Sequence, residues 1–171
     1  MARPDDAPAV AAIYRPSVTD SPVSFELEAP SAREMQARIE RTLQAYPWLV
    51  YERDGDVLGY AYGSRHAGRA AYRWSADVSV YVRPDAMRTG IGRALYQALL
   101  PMLRNLGYRQ AFAGITVPNA ASVGLHEALA FTPVGVFRRV GYKLDAWHDV
   151  GWWQLELSAE PPAGDPVPFW P

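Results

Sequence analysis

Val78-Ser79-Val80-Tyr81-Val82-Arg83-Pro84-Asp85-Ala86-Met87-Arg88-Thr89-Gly90-Ile91-Gly92-Arg93 decides the fold. Its first part alternates with period two. Val78, Val80 and Val82 share one face of a strand, and Asp77, Ser79 and Tyr81 share the other. Pro84 ends the strand. Gly90-Ile91-Gly92 then opens an amphipathic helix expected from Gly90 to Leu106, with Ile91, Leu95, Leu99, Met102, Leu103 and Leu106 at helical spacing. Gly107 stops it, and Pro101 inside it predicts a kink. A strand–turn–helix junction of this kind aims backbone N–H groups at whatever precedes the helix, a place for a phosphate or pyrophosphate. Gly90 and Gly92 permit close approach, and Arg88 and Arg93 add positive charge. A Gly-x-Gly alone equally describes a tight turn; the flanking strand and helix favour the anion cradle.

Outward from this junction the chain alternates helices and strands. Pro4 to Tyr14 reads as a helix with Val10, Ile13 and Tyr14 on its apolar face, and Arg15 to Pro30 as a loop. Ser31 and Glu34 form a capping box for a helix to Ala45. Trp48–Glu52 and Val57–Tyr62 flank Arg53-Asp54-Gly55-Asp56, an Asp-Gly hairpin signal. Ser64 to Ala70, containing His66, reads as a mobile solvated loop, and Tyr72 to Val82 as one long strand. Strand Gln110–Thr116, helix Asn119–Leu129 and strands Phe131–Arg139 and Val150–Leu157 follow, with Gly141 to Asp149 as a connection. This order predicts an α/β (α+β) sheet with helices on both faces. One domain spans 1–158, and 159–171 is a proline-rich tail, extended or loose.

Composition narrows the function. A chain of 171 residues can bury a full core. A formal net charge of −1 supplies no global field for nucleic acid or an anionic membrane. With no cysteine, disulfides, thiolate metal sites and a cysteine nucleophile are excluded. No apolar run reaches spanning length, and the N-terminus lacks a signal-peptide pattern, so a cytoplasmic protein without metal is expected.

Met87-Arg88-Thr89-Gly90-Ile91-Gly92 resembles the acetyl-CoA motif of the GCN5-related N-acetyltransferases, Gln/Arg-x-x-Gly-x-Gly/Ala after a strand. Other segments are similar to the phosphinothricin N-acetyltransferase subfamily: Ala45 to Val50, Gly59 to Tyr62, Pro118 to Ser122, His126 to Leu129 and Trp147 to Gly151. The resemblance spans about Tyr14 to Leu157. It implies a mostly antiparallel, mixed sheet. It also implies acetyl-CoA as co-substrate, a small amino-acid-like amine as acceptor and a homodimer. Val80, Tyr81 and Val82 would pair with the pantetheine arm, and the backbone of Arg88, Thr89, Gly90, Ile91, Gly92 and Arg93 would hold the pyrophosphate. Asn119 would contact the cofactor, and it is also a helix N-cap. Acetylation of phosphinothricin, methionine sulfoximine or methionine sulfone would remove a positive charge and detoxify the compound.

Acetyl transfer to an amine needs a neutral amine, a polarised thioester and provision for the departing thiolate. Asp77 stands where the subfamily has a glutamate base. It is read as base or proton relay, against a role in binding the ammonium only. His126 is read either as the acid for the thiolate or as a packed core histidine. In the acceptor region stand Phe25, Glu26 and Arg73. Arg73 sits four residues before Asp77 on the same strand face and suits a carboxylate or phosphinate, against a solvated strand residue. Tyr72 and Trp74 would wall an apolar side chain.

The departures are specific. Met87 replaces the motif's Gln or Arg. Ala130 replaces a glycine, which predicts strain at a left-handed position. The residues before Pro4 are too few for the family's usual first strand, so either the sheet lacks that edge strand or the start is misassigned. The competing readings are a non-catalytic acetyl-CoA-binding module and an acetyltransferase for another amine.

Overall fold

The alternating valines of the opening stretch lie in the middle of a six-stranded sheet in the computed structural model, which describes residues 1–169. The strands are β1 (Trp48–Arg53), β2 (Asp56–Arg65), β3 (Ser75–Val82), β4 (Gln110–Val117), β5 (Thr132–Lys143) and β6 (Ala146–Glu156). Their order is β1-β2-β3-β4-β6-β5, and only β3 and β4 run parallel. Helices α1 (Ala7–Thr19), α2 (Ala32–Leu43), α3 (Ile91–Asn105) and α4 (Ala120–Glu127) complete the fold.

Alternation sorts the core into two layers. Val78, Val80 and Val82 turn to the face covered by α3, whose Leu95, Tyr96, Leu99 and Leu103 are buried there. Tyr60, Tyr62 and Tyr81 turn to the opposite face, against Val10, Ile13 and Tyr14 of α1 and Met35 and Ile39 of α2. Ser31 caps α2, and Glu34 closes the capping box. That cap contributes about 1 kcal/mol. Met35 and Ile39, 2% and 0% exposed, contribute about 1.5–3 kcal/mol each, so the packed face holds the helix more than its cap does.

Several boundaries differ from the sequence reading. Helix α1 follows a short 3₁₀ turn (Pro4–Asp6) and continues to Thr19 through Pro16. Helix α3 likewise runs through Pro101 without interruption, with that proline on its exposed side. Tyr72 ends a 3₁₀ turn (Ala70–Tyr72), and β3 starts only at Ser75. Gly141 to Asp149 is no loop, because β5 and β6 form one long hairpin turning at Leu144 and Asp145, both at positive φ. The Asp-Gly hairpin forms as expected, with φ of 54° at Asp54 and 85° at Gly55. Ala130 adopts φ 67°, the expected left-handed conformation.

The tail is strapped down rather than loose. Val167 N–H donates to Leu106 O at 2.8 Å, and Phe169 N–H to Ala45 O at 3.3 Å. Trp170 and Pro171 lie outside the described residues. At the other end, Ala2 N–H donates to Trp48 O at 2.8 Å, and no strand precedes β1 among the described residues. No described helix is long and apolar enough to cross a membrane.

Candidate active site

β3 and β4 separate soon after they meet. Their register covers only Ser75↔Gln110 to Asp77↔Phe112, while β3 runs on to Val82 and β4 to Val117. The β4-facing backbone of Val80, Tyr81 and Val82 is therefore left without a strand partner. Between the splayed strands lies a cleft of about 60 Å³. Ser79, Val80 and Tyr81 line it from β3 and Gly114 and Thr116 from β4, with His126 and Tyr96 at its side. Val23, from the segment between α1 and α2, also lines it.

The start of α3 borders this opening. Gly90 is its N-cap at φ 88°, a conformation that favours glycine. Ala94 N–H makes the first helical bond, to Gly90 O, so the N–H groups of Ile91, Gly92 and Arg93 have no intrahelical acceptor. A Cβ on Gly92 would stand 3.1 Å from Leu125 and 3.8 Å from both Val80 and Val82, so the first turn lies against β3. Free donors at a positive helix end beside an unpaired strand edge fit a diphosphate with an extended amide-bearing arm. Arg88 takes φ 61°, and Arg93 reaches Ala128 O at 3.4 Å. Thr89 Oγ1 is used locally, donating to Ala86 O at 2.6 Å. Met87 is 54% exposed, so it does not fill the cradle. Asn119 caps α4, accepting from Ser122 N–H at 3.1 Å, and it also lines the cleft.

His126 is 3% exposed. Its Nδ1–H donates to Ser122 O at 2.7 Å, which leaves Nε2 to accept the Tyr96 hydroxyl at 3.1 Å. Burial lowers its pKa and keeps the ring neutral, with both nitrogens engaged. This arrangement alters the sequence-based reading of an acid: the imidazole has no free proton to give. The group that meets Nε2 is the Tyr96 hydroxyl, a residue the sequence reading missed. Its place on α3 opposite His126 was the available signal. Burial pushes the Tyr96 pKa far up, so the hydroxyl keeps its proton, which it donates to His126.

Asp77 is half-buried on the α1/α2 face, and its Oδ1 lies 2.6 Å from Nδ1 of His66. Burial raises its pKa, and the His66 hydrogen bond opposes that shift. His66 is therefore not part of a mobile solvated loop. β2 extends to Arg65, and the β2–β3 register sets Ser64 opposite Asp77, with His66 two residues farther on the same side. His66 stacks on Phe112 with centroids 4.2 Å apart.

The expected acceptor residues separate. Phe25 lies over Gly141 of β5, where a Cβ would collide with its ring, and near His148. Lys143 Nζ fixes this segment by donating to Ser24 O at 2.6 Å. Glu26 faces inward: Arg38 binds both its oxygens at 2.7 and 2.8 Å, and Tyr14 donates to it at 2.8 Å. Its carboxylate is thus committed within the protein. Arg73 does not share the Asp77 strand face. It caps the 3₁₀ turn, and its guanidinium is 2.8 Å from both oxygens of Asp165 in the tail. Trp74 Nε1–H donates to Gly164 O, which also turns it to the tail.

A carboxylate–imidazole pair near a cleft, with free helix N–H donors beside an unpaired strand edge, suits transfer from a nucleotide-bearing thioester to an amine. The acetyltransferase (GNAT) domain model matches residues 1–152, and the chain belongs to that family of N-acetyltransferases. Among its relatives, phosphinothricin N-acetyltransferase of Alcaligenes faecalis is 42% identical over 161 residues, covering 93% of this chain and 82% of that protein. The L-methionine sulfoximine/L-methionine sulfone acetyltransferase of Pseudomonas aeruginosa is 36% identical over 155 residues, 90% of each chain. A phosphinothricin acetyltransferase from Sinorhizobium meliloti, solved in complex with AcCoA, superposes with a TM-score of 0.91 at 34% identity, covering 98% of this chain and 94% of that one.

Proposed function

We propose that this protein transfers the acetyl group of acetyl-CoA directly to the amino group of a small amino-acid-like acceptor of the phosphinothricin, methionine sulfoximine or methionine sulfone type. The single observation that carries this reading is the splay of β3 from β4 beside the free donors of α3, which gives the cofactor a strand edge and an anion cradle together. The relatives' named substrates supply the acceptor class.

The backbone of Val80 to Val82 holds the pantetheine arm, and the first turn of α3 holds the pyrophosphate. The acceptor approaches over the α1/α2 face of the sheet, past Phe25, to the cleft at Ser79 and Gly114. Asp77 serves the removal of the amine's proton. The free amine then attacks the thioester carbon and the carbonyl π pair moves onto oxygen; the nitrogen gives its second proton to water, and the return of the pair expels the thiolate. The leaving thiolate takes its proton from water.

The enzyme works as a homodimer. Val134, Val136, Phe137, Val140 and Tyr142 of β5 are 49–59% exposed on an edge strand. An uncovered apolar edge of this kind favours pairing with another copy.

A thiol-release assay with acetyl-CoA against amino acids and their phosphinate, sulfoximine and sulfone analogues tests the reading. Turnover confined to such acceptors is expected. CoA binding without turnover of any amine would show a binding module instead, and turnover of polyamines alone would show a different acceptor.

A further inference from the structure

Asp77 has a side-chain partner that reorganises its role. A carboxylate can only accept a hydrogen bond, so the 2.6 Å contact places the proton on Nδ1 of His66 and leaves the neutral ring's lone pair on Nε2. Nε2 has no hydrogen-bond partner among the described residues. The ring is fixed from three sides: Phe112 of β4 stacks on it, with planes 17° apart, and the edges of Tyr72 and Trp152 approach with centroids 5.9 Å away. It remains 20% exposed on the sheet face that carries Ser79. The charged and titratable groups around it are few. Asp77 faces it from β3 and Tyr72 from the 3₁₀ turn. Phe112 and Trp152 carry no charge, and the Arg65 guanidinium turns away to the carbonyls of Ala67 and Gly68.

Carboxylate, Nδ1–H and a free Nε2 are the arrangement in which an oriented imidazole takes up a proton. We propose that Nε2 of His66 is the base that deprotonates the acceptor ammonium, and that Asp77 is its positioning residue. This rests on the acetyltransferase reading above and gives the proton relay a named atom. An N–H bond of the ammonium breaks, its electron pair stays on the amine nitrogen, and a new N–H bond forms at Nε2. The imidazolium charge then faces the Asp77 carboxylate, and the proton leaves to water at the exposed edge of the ring. Asp77 itself takes no proton. The chemistry fits the shorter aspartate: a carboxylate that orients an imidazole need not reach the amine.

The test has two arms on the full chain. The first needs no acceptor: ¹⁵N NMR of the histidine rings, with the His66 signals identified by their loss in His66→Gln. The neutral His66 ring is expected as the Nδ1–H tautomer in the wild type, and Asp77→Asn is expected to release it to Nε2–H. An Nε2–H tautomer in the wild type would overturn the proposal. The second arm follows turnover of phosphinothricin and methionine sulfone against pH. His66→Gln is expected to lower kcat on the order of 10²- to 10⁴-fold near neutrality, with the KM for acetyl-CoA unchanged. The deficit should shrink as pH approaches the acceptor amine's own pKa, where free amine is supplied by the solution. Wild-type kcat and pH profile in a folded His66→Gln would refute the base. If the wild type turned over neither compound nor any other amine, the acetyltransferase reading itself would fall and the base with it, whatever the tautomer.

Discussion

Gly92→Val separates the cofactor cradle from the stability of the fold. In the wild type, a Cβ at this position would stand 3.1 Å from Leu125 Cδ2 and 3.8 Å from the Cγ2 atoms of Val80 and Val82. Alanine is tolerable, because the far end of Leu125 can yield by a few tenths of an ångström and the helix gains propensity of about 1 kcal/mol. Valine adds two methyl groups toward the two β3 valines, where there is no room. The first turn of α3 must then lift from β3, at an overpacking cost of about 1–3 kcal/mol. That displacement moves the N–H groups of Ile91, Gly92 and Arg93 together. Losing one hydrogen bond to a charged phosphate costs about 1.5–3 kcal/mol, or roughly 10- to 150-fold in affinity. Isothermal titration of CoA into each variant, beside urea unfolding, is the assay. Gly92→Ala should stay within about 1 kcal/mol of the wild type in stability. Gly92→Val should weaken CoA binding at least tenfold by the same hydrogen-bond arithmetic. Wild-type CoA affinity in a measurably destabilised Gly92→Val would refute the cradle.

Other outcomes follow from the same geometry. Tyr96→Phe leaves the buried Nε2 of His126 without its donor and should cost about 1–3 kcal/mol of stability; urea unfolding beside stopped-flow thiol release checks that the loss falls on stability rather than on kcat. Glu26, whose pKa is lowered chiefly by the Arg38 hydrogen bond, stabilises the fold above the ordinary carboxylate range. That contribution disappears as pH falls through its lowered folded-state pKa, so Glu26→Gln should be the less stable protein at neutral pH and match the wild type in strong acid. Phe137→Asp sets a charge on the apolar β5 edge and should turn a dimer into a monomer by sedimentation; an unchanged sedimentation coefficient would remove β5 from the interface.

The elements legible in the sequence were those fixed by local rules. The capping box at Ser31 and Glu34, the Asp-Gly hairpin, the alternating β3 and the glycine-led α3 all depend on neighbours within a few residues. The family motif added the proposed cofactor path, which no local rule supplies. What escaped depends on distant pairing. Arg73 looked free on its own strand, but its partner Asp165 lies 92 residues on. His66 looked like loop because its meaning comes from the β2–β3 register and from Phe112, on a strand not adjacent in sequence. The β5–β6 hairpin was hidden by a turn of Leu144 and Asp145, with none of the usual turn glycines. His126 was found, but its tautomer follows from Ser122 O and Tyr96, which only the packing of α4 against α3 brings together.

The central claim is direct transfer to the acceptor's amino nitrogen. Incubation with [¹³C]acetyl-CoA and phosphinothricin or methionine sulfone, followed by NMR of the small molecules and intact mass of the protein, addresses it most directly. The account predicts a labelled amide on the α-nitrogen, one CoA released per amide, and no acetyl group on the protein at any time. Label that accumulates on the protein, or CoA release without an amide product, would contradict it.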